Sequence, residues 1–218
     1  MSRSIKKGTI KQIKRGLYAL VDKSTDEIYA NKFQIASKLF EDSFFSYHEA
    51  LEYYGLATQS YVSSFNYLSH TYTYDIIFNG IVFSGKRNND REYIQDKMEE
   101  EGVRVVTLER AIVDSIDNLS LAGGLEEVEY ALSNVHGLNI EIIKEILLKR
   151  DKAFLFQKVG YFFDKHFGNT IPSSFYDLCL SKKSNKIRYL NCYMSKAILN
   201  KKRNLMVEKE KLEPNSLP

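Results

Sequence analysis

Three acidic residues with spacing that could support chemistry lie on one predicted helix. Glu109, Asp114 and Asp117 fall in the run LERAIVDSID, and clustered carboxylates are the groups with which nucleases hold a catalytic divalent cation. However, Asp114 and Asp117 stand three residues apart among core positions, and the preceding run VRVVT offers no lysine. We therefore expect Asp114 to bind a backbone amide or a neighbouring basic residue, and we keep a nuclease-like enzyme using Asp114 and Glu109 as an alternative.

Other residue types typical of active sites are isolated in the sequence. His48 has no second His, Cys or acid spaced to join it, so we expect a surface or capping residue. Cys179 and Cys192 lack metal-ligand spacing, and no GxSxG, HExxH or phosphate-binding glycine loop occurs. These features predict a protein that is not an enzyme, binds no metal or cofactor, and resides in the reducing cytoplasm.

The acidic helix follows directly on a strand. The β-branched run Val103–Val106 ends at Thr107, a candidate N-cap, and apolar residues then recur at helical spacing from Leu108. After Gly123-Gly124 a second helix is expected from Leu125, with an apolar face at Val128, Ala131 and Leu132. This strand and its two helices form the predicted scaffold of the chain.

Strands and helices on either side of this scaffold predict an α/β fold of the α+β type. Residues 60–69 and 74–85 are rich in β-branched and aromatic residues, with Asn79-Gly80 at a hairpin turn, and are expected to pair with Val103–Val106 in one sheet. The polar run before Val103, RNNDREYIQDKMEEEG, is expected to form a loop with a short helix. Further helices are predicted from Asn31, from Ser46 with Glu49 in a capping box and a stop at Gly55, and over 140–148, 153–166 and 172–182.

Basic residues crowd both ends of a chain whose net charge is only +3. The segment KKGTIKQIKRGLYAL predicts a helix end followed by two short strands around a basic turn, the pattern of the wing in a winged helix. Only about one helical turn can precede Gly8, so we expect a shortened winged helix. The second basic cluster is compatible with either a polyanionic partner or a solvated surface, and comprises Lys182, Lys183, Lys186, Arg188, Lys196, Lys201, Lys202 and Arg203.

Length and hydropathy limit the domain organisation. The 218 residues, 44% of them hydrophobic, suffice for a substantial core, and no apolar run of about 18 residues predicts a membrane span. We predict a partial winged-helix segment at 1–24 and an α/β domain at 25–168. A small mixed sheet packed with helices would form that domain, and 169–218 would be a C-terminal helical and strand extension with a polar tail.

Several short motifs, taken in order, resemble the AbiEi family of antitoxins. The similarity runs from about Lys14 to His166, with a further match to a closing strand at KKRNLMV. Each motif is short, and their order and spacing carry the resemblance. The matching runs are RGLYAL, Asn31 with Ile35-Ala36, SYHEAL ending at Tyr54-Gly55-Leu56, TLERAIVD with Gly123-Gly124, and VGYFF.

The resemblance implies a bacterial type IV toxin–antitoxin system that acts in abortive infection and phage defence. The antitoxin would counter a nucleotidyltransferase-like toxin, AbiEii, without requiring a stable complex, and family members repress their own operon through an N-terminal winged helix. The operator DNA contacts implied for this chain fall on the helix end and wing, at Lys6, Lys7, Lys11, Lys14 and Arg15. A protein-interaction module without enzymatic activity is a further alternative.

Overall fold

The structure, a computed structural model, describes residues 9–191 and 196–208. The chain divides into two compact units between Ala111 and Ile112. The segments 1–24, 25–168 and 169–218 stay a prediction from the sequence. The N-terminal hairpin contributes Ala19 to the core of the first unit. The described residues form seven α-helices and several small sheets, so the fold belongs to the α+β class, as the sequence predicts.

The first unit opens with the predicted hairpin. Strands β1 (Ile10–Lys14) and β2 (Leu17–Leu20) pair antiparallel around the turn Arg15-Gly16, with an irregularity between Gln12 and Lys14. Gly16 has a φ of 84°, a conformation that favours glycine in so tight a turn. Helix α1 (Lys32–Lys38) follows, and Asn31 caps it in a reciprocal box with Gln34.

A mixed sheet forms the centre of this unit. Strand β3 (Ser64–Ser69) runs parallel to β5 (Ile81–Arg87), and β4 (Ile76–Phe78) pairs antiparallel with β5. The connecting residues Asn79 and Gly80 both have positive φ, 51° and 78°, as a tight hairpin turn requires. The sequence prediction of a hairpin at Asn79-Gly80 is therefore confirmed.

Strand β7 (Val103–Val106) does not pair with this sheet directly, contrary to the prediction. It pairs antiparallel with β6 (Ile94–Lys97), a strand within the polar run that was expected to form a loop with a short helix. The two-residue segment Phe44-Phe45 lies between the sheets, since Phe44 bridges to Leu68 and Phe45 bridges to Val105. These bridges connect β3 to β7 through one short extended segment.

Aromatic rings fill the space between α1 and the sheets. The rings of Phe33, Phe45 and Phe65 pack in edge-on or tilted pairs with centroids 5.4 to 5.6 Å apart. Such pairs stabilise a core beyond their area of burial alone. Phe45 and Phe83 are completely buried, so the sheet residues predicted from β-branched and aromatic content form the core of the unit.

The second unit consists mainly of helices. Helix α3 (Leu108–Asp117) contains the boundary between the units and begins after Thr107, whose Oγ1 accepts from the backbone N–H of Arg110. Then come α4 (Leu125–Asn134), α5 (Ile140–Arg150), α6 (Ala153–His166), a 3-10 turn (Gly168–Thr170) and α7 (Ser173–Ser181). The predicted starts at Leu108, Leu125, Ile140 and Ala153 are confirmed.

A small sheet completes the second unit. Strand β10 (Leu205–Glu208) lies between β8 (Arg188–Tyr189), to which it is parallel, and β9 (Ala197–Asn200), to which it is antiparallel. Gln157 of α6 donates from Nε2 to the carbonyl oxygens of Arg203 and Asn204, at 2.8 and 3.2 Å. This amide anchors the start of β10 to α6.

The capping box that the sequence predicts at the start of helix α2 (Tyr47–Tyr53) does not form. Ser46 occupies the N-cap position, but its side chain makes no capping hydrogen bond, and Glu49 instead accepts from the backbone N–H and the Nδ2 of Asn66, at 2.8 and 2.7 Å. The carboxyl is drawn into the core, where burial raises its pKa to about 7 despite the two hydrogen bonds. Glu49 thus joins α2 to β3.

The raised pKa of Glu49 makes the stability of this junction depend on pH. Its folded pKa lies above the ordinary value, so the protonated carboxyl contributes stability that is lost as the pH rises towards 7. Replacing Glu49→Gln removes this titration. The free energy of unfolding of the variant, relative to the unsubstituted protein, should therefore rise by up to about 3 kcal/mol between pH of about 5 and about 8.

Chemical denaturation at both pH values measures this difference. Glu27→Gln, at an exposed carboxyl of the same unit, is the matched control and should show no such trend. A Glu49→Gln difference that does not change with pH would contradict the account of this buried carboxyl.

Candidate nucleic-acid interface

The structure separates the basic residues that the sequence groups together. Lys6 and Lys7 lie outside the described residues. Lys11 forms an ion pair with Asp26, with Nζ and Oδ2 2.8 Å apart and both side chains substantially exposed. An exposed pair of this kind contributes little stability but lowers the net charge available at Lys11.

Lys14 and Arg15 instead line a concave surface between the hairpin turn and the end of α1. We call it the basic groove, and its volume is about 560 Å³. Lys38 and Arg104 also line it, so four cationic side chains face one acidic lining residue, Glu41. A cationic concave surface of this size suits a polyanionic ligand.

Phe40 forms the aromatic floor of the basic groove. The Nζ of Lys14 lies 3.8 Å from the centre of the Phe40 ring, and the Tyr72 ring stacks on Phe40 at 4.4 Å with an interplanar angle of 17°. Since both groups lie so close to one ring centre, they must occupy opposite faces of it. The outer face of Tyr72 then points away from Phe40, and 46% of the residue's surface is exposed.

A buried carboxylate holds Tyr72 in this position. Asp42 accepts from the Oγ of Ser69 at 2.9 Å and from the backbone N–H of His70 at 2.9 Å, and Ser69 Oγ in turn accepts from the backbone N–H of Tyr72 at 2.8 Å. Burial alone would raise the pKa of Asp42. The hydrogen bonds from Ser69, His70 and Thr71 together outweigh this effect, so the pKa of Asp42 lies below its ordinary value. The turn is therefore fixed before any ligand arrives.

A second tyrosine stands beside the first. The Tyr74 ring lies edge-on to both Phe40 and Tyr72, with centroids 5.1 and 6.5 Å away, and 53% of Tyr74 is exposed. Its carbonyl oxygen accepts from the buried hydroxyl of Tyr67 at 2.6 Å. Two exposed rings at right angles therefore stand on a buried aromatic base.

The cations of the groove differ in how strongly they are already paired. Arg104 donates from Nε to Asp96 at 2.9 Å and from NH1 to the Ser37 carbonyl oxygen at 3.3 Å, so its charge is partly balanced. Burial lowers the pKa of Lys14 from its ordinary value. Arg15 and Lys38 are exposed and have no ion pair within the described part of the chain, which leaves them available for phosphate groups.

The sequence prediction found only part of this surface. Lys14 and Arg15 were identified by their place in a wing-like hairpin, whereas Lys38, Arg104 and Tyr72 come from three other elements and carry no common local pattern. Phe40 lies two residues beyond the end of α1 at Lys38. Only the tertiary fold brings these residues together.

Two acidic residues of α3, Asp114 and Asp117, form ion pairs. Asp114 is buried, and its Oδ1 lies 2.5 Å from NH2 of Arg150, as the expectation of a basic partner predicted. Asp117 lies 2.8 Å from Lys152 Nζ, while Lys158 donates to the carbonyl oxygens of Ile116 and Asp117 at the end of the helix. Among the residues that the structure describes, no cluster of three or more His, Cys, Asp or Glu could hold a metal ion.

The sequence predicts a surface or capping position for His48, and the surface position is wrong. It is buried, and its ring centre lies 4.3 Å from that of Tyr61. The N-terminal turn of α2 faces the core, because the hydrogen bonds from Asn66 of β3 to Glu49 hold this turn against the sheet. His48 is therefore a packed residue of the first unit.

Ser133, His166 and Glu129 form a chain of contacts that resembles a nucleophile, base and acid. Ser133 Oγ lies 3.3 Å from His166 Nδ1, and His166 Nε2 lies 2.6 Å from Glu129 Oε2. However, the Ser133 hydroxyl donates to the carbonyl oxygen of Glu129 one turn earlier, at 2.9 Å. Its proton is thus committed to the backbone, and we interpret the chain as a network that links α4 to α6.

Part of the second basic cluster is held by contacts within its own unit. Lys202 pairs with Asp164 at 2.6 Å, Lys182 pairs with Asp151 at 3.3 Å, and Lys183 donates to the Lys202 carbonyl oxygen at 2.7 Å. Arg203 is completely buried, with Asp164 3.7 Å from NH2. These contacts favour a structural role over a polyanion surface for this part of the cluster.

Comparison with known proteins shows a likeness to a solved structure. No family model matches the sequence, and no curated protein matches it. The crystal structure of the RV2827C protein from Mycobacterium tuberculosis is similar, with a TM-score of 0.67 over 94% of this chain and 78% of that chain, at 11% sequence identity. At this identity the likeness shows a shared fold. Within the described residues, no helix has the length and apolar character that membrane crossing requires.

The base of the aromatic cluster can be tested at Gly85. A Cβ at this position of β5 would lie 2.5 Å from the Tyr67 hydroxyl oxygen and 2.9 Å from the backbone Cα of Thr73. Alanine normally suits a strand better than glycine does, but here we expect Gly85→Ala to lower the free energy of unfolding by about 1–3 kcal/mol.

Thermal and chemical denaturation measure this loss, with Ser84→Ala on the same strand as the control. A Gly85→Ala protein as stable as the unsubstituted protein would show that Tyr67 is free to move, and would contradict a rigid base.

Proposed function

We propose that the protein is a cytoplasmic antitoxin of the bacterial type IV class that counters a nucleotidyltransferase-like toxin and has no enzymatic activity of its own. We further propose that its first unit contacts nucleic acid, including operator DNA, and thereby regulates its own operon. The observation that carries the nucleic-acid contact is the basic groove, where Lys14, Arg15 and Lys38 converge beside two exposed tyrosine rings.

The positions of the antitoxin-like motifs support the first part of the proposal. In the run TLERAIVD, Arg110 is buried and donates from NH2 to the Asp90 carbonyl oxygen at 3.0 Å, while Asp114 pairs with Arg150. In VGYFF, Val159, Phe162 and Phe163 are completely buried. The motif residues therefore stabilise the fold. This is expected if the resemblance reflects a common fold and not a common active site.

The nuclease-like alternative is disfavoured by the same geometry. A metal-dependent nuclease needs carboxylates that are free to coordinate a cation. Asp114 is instead buried against a guanidinium group and Asp117 is paired with Lys152. We therefore place the function in binding rather than in hydrolysis.

Co-expression with the nucleotidyltransferase-like toxin of the same operon tests the antitoxin role. Induction of the toxin alone should arrest growth, and equal expression of this chain should restore it. Asp114→Asn is the informative variant. If Asp114 only stabilises the fold, the growth rescue by this variant should fall in proportion to the amount of folded protein. A proven toxin that still arrests growth at matched expression would overturn the antitoxin proposal.

The same strain can report repression of the operon promoter. Arg15→Gln should weaken repression, and in vitro it should reduce the slope of log affinity against log salt by about 0.9 for each lost phosphate contact with duplex DNA. Lys23→Gln, at an exposed lysine of the same unit that does not line the groove, is the control. Equal repression by both variants would remove Arg15 from the interface while leaving the growth rescue unaffected.

A further inference from the structure

The exposed tyrosine rings and the cations of the basic groove suit a single strand of nucleic acid better than a duplex. We propose that the groove binds single-stranded nucleic acid, with one base stacked on the outer face of Tyr72 and the flanking phosphates held by Arg15 and Lys38. This inference rests on the proposed nucleic-acid contact of the first unit, but it does not depend on the antitoxin role.

The stacking surface is already assembled in the protein. Tyr72 has Phe40 on one face at 4.4 Å, and Lys14 supports Phe40 from its other side at 3.8 Å. Phe40 covers one face of Tyr72, and 46% of the residue's surface is exposed. We infer that a planar base stacks on the opposite face, and base–aromatic stacking tolerates every base.

The supporting turn makes this ring rigid. The backbone N–H of Tyr72 donates to Ser69 Oγ, and Asp42 holds both Ser69 Oγ and the N–H of His70. The Tyr74 ring is perpendicular to the Tyr72 ring, with the two centroids 6.5 Å apart. A ring held in this way loses little conformational entropy when a base binds.

The charges are placed for a backbone that passes through the groove. Arg15 lies at the hairpin turn and Lys38 at the end of α1, so exposed cations from two separate elements border one concavity. Its volume of about 560 Å³ lies in the range of pockets that enclose a small ligand, which fits a nucleotide unit. An acidic peptide would satisfy the cations but would leave the exposed tyrosine rings without a stacking partner.

A single strand fits this arrangement better than a duplex does. In a duplex both faces of each base are covered by neighbouring base pairs, so stacking on Tyr72 would require the base to be unstacked first. The ring lines a concave surface together with residues of the hairpin turn, whereas reading of duplex DNA places an element inside a groove of the double helix. Cationic grooves with aromatic platforms are typical of proteins that bind single strands.

Fluorescence anisotropy with the full-length protein tests the proposal. The probes are a labelled mixed-sequence strand of roughly ten nucleotides as RNA and as DNA, the corresponding duplexes, and a single mononucleotide as competitor. We expect the strand to bind more tightly than the duplex, and Tyr72→Leu to weaken strand binding by about tenfold or more. Tyr72→Phe keeps the ring and should bind like the unsubstituted protein.

Matched variants separate stacking from charge and from folding. Tyr130→Leu changes an exposed tyrosine of the second unit and should leave binding unaltered. Lys38→Gln should reduce the salt dependence of strand binding by about 0.7 in log–log slope. Circular dichroism and thermal denaturation establish that each variant is folded.

Three results would overturn the proposal. Strand binding by folded Tyr72→Leu that equals that of the unsubstituted protein would exclude the stacked base. Duplex binding at least as tight as strand binding would exclude single-strand preference, and competition by the mononucleotide as effective as by the unlabelled strand would identify a nucleotide pocket instead. Operator repression and growth rescue are measured separately, so loss of the single-strand claim would leave the proposed function standing.

Discussion

Four backbone hydrogen bonds made by Phe44 and Phe45 connect the sheet of β3, β4 and β5 to the sheet of β6 and β7 in the first unit. Phe44 exchanges bonds with Leu68 at 3.0 and 2.7 Å, while Phe45 donates to the Arg104 carbonyl oxygen and accepts from the N–H of Val106, each at 3.2 Å. Without this short segment, β3 and β7 would have no backbone hydrogen-bonding partner in common. Buried backbone groups must be paired, so the segment also sets the register in which the residues before and after it meet the sheets.

This register assembles the basic groove. Asp42 lies two residues before Phe44 and is thereby placed beside Ser69, at the end of β3, where it fixes the turn that carries Tyr72. Phe40 lies two residues earlier still and supports the Tyr72 ring. On the other side, Arg104 of β7 reaches Ser37 of α1. The aromatic floor and one cation of the groove therefore depend on the same pairing that holds the sheets together.

The sequence predicts those features whose causes are local. Helix starts at Leu108, Leu125 and Ala153 follow from apolar periodicity, and the Asn79-Gly80 hairpin follows from backbone conformations that few other residues adopt. Strand β6 was missed because Ile94–Lys97 carries almost no apolar signal and forms only through pairing with β7. Glu49 was placed in a capping box because its local spacing is correct, but Asn66, seventeen residues away, competes successfully for the carboxylate.

The candidate site follows the same distinction. Arg15 was predicted from the hairpin pattern, whereas the stacking of Tyr72 on Phe40 depends on contacts between distant segments that no spacing rule encodes. Photo-crosslinking of a single strand that carries one 4-thiouridine, followed by mass mapping, tests the central claim most directly. The account predicts a crosslink on the peptide that contains Tyr72 and Tyr74, lost in Tyr72→Leu. Crosslinks confined to the second unit would contradict it.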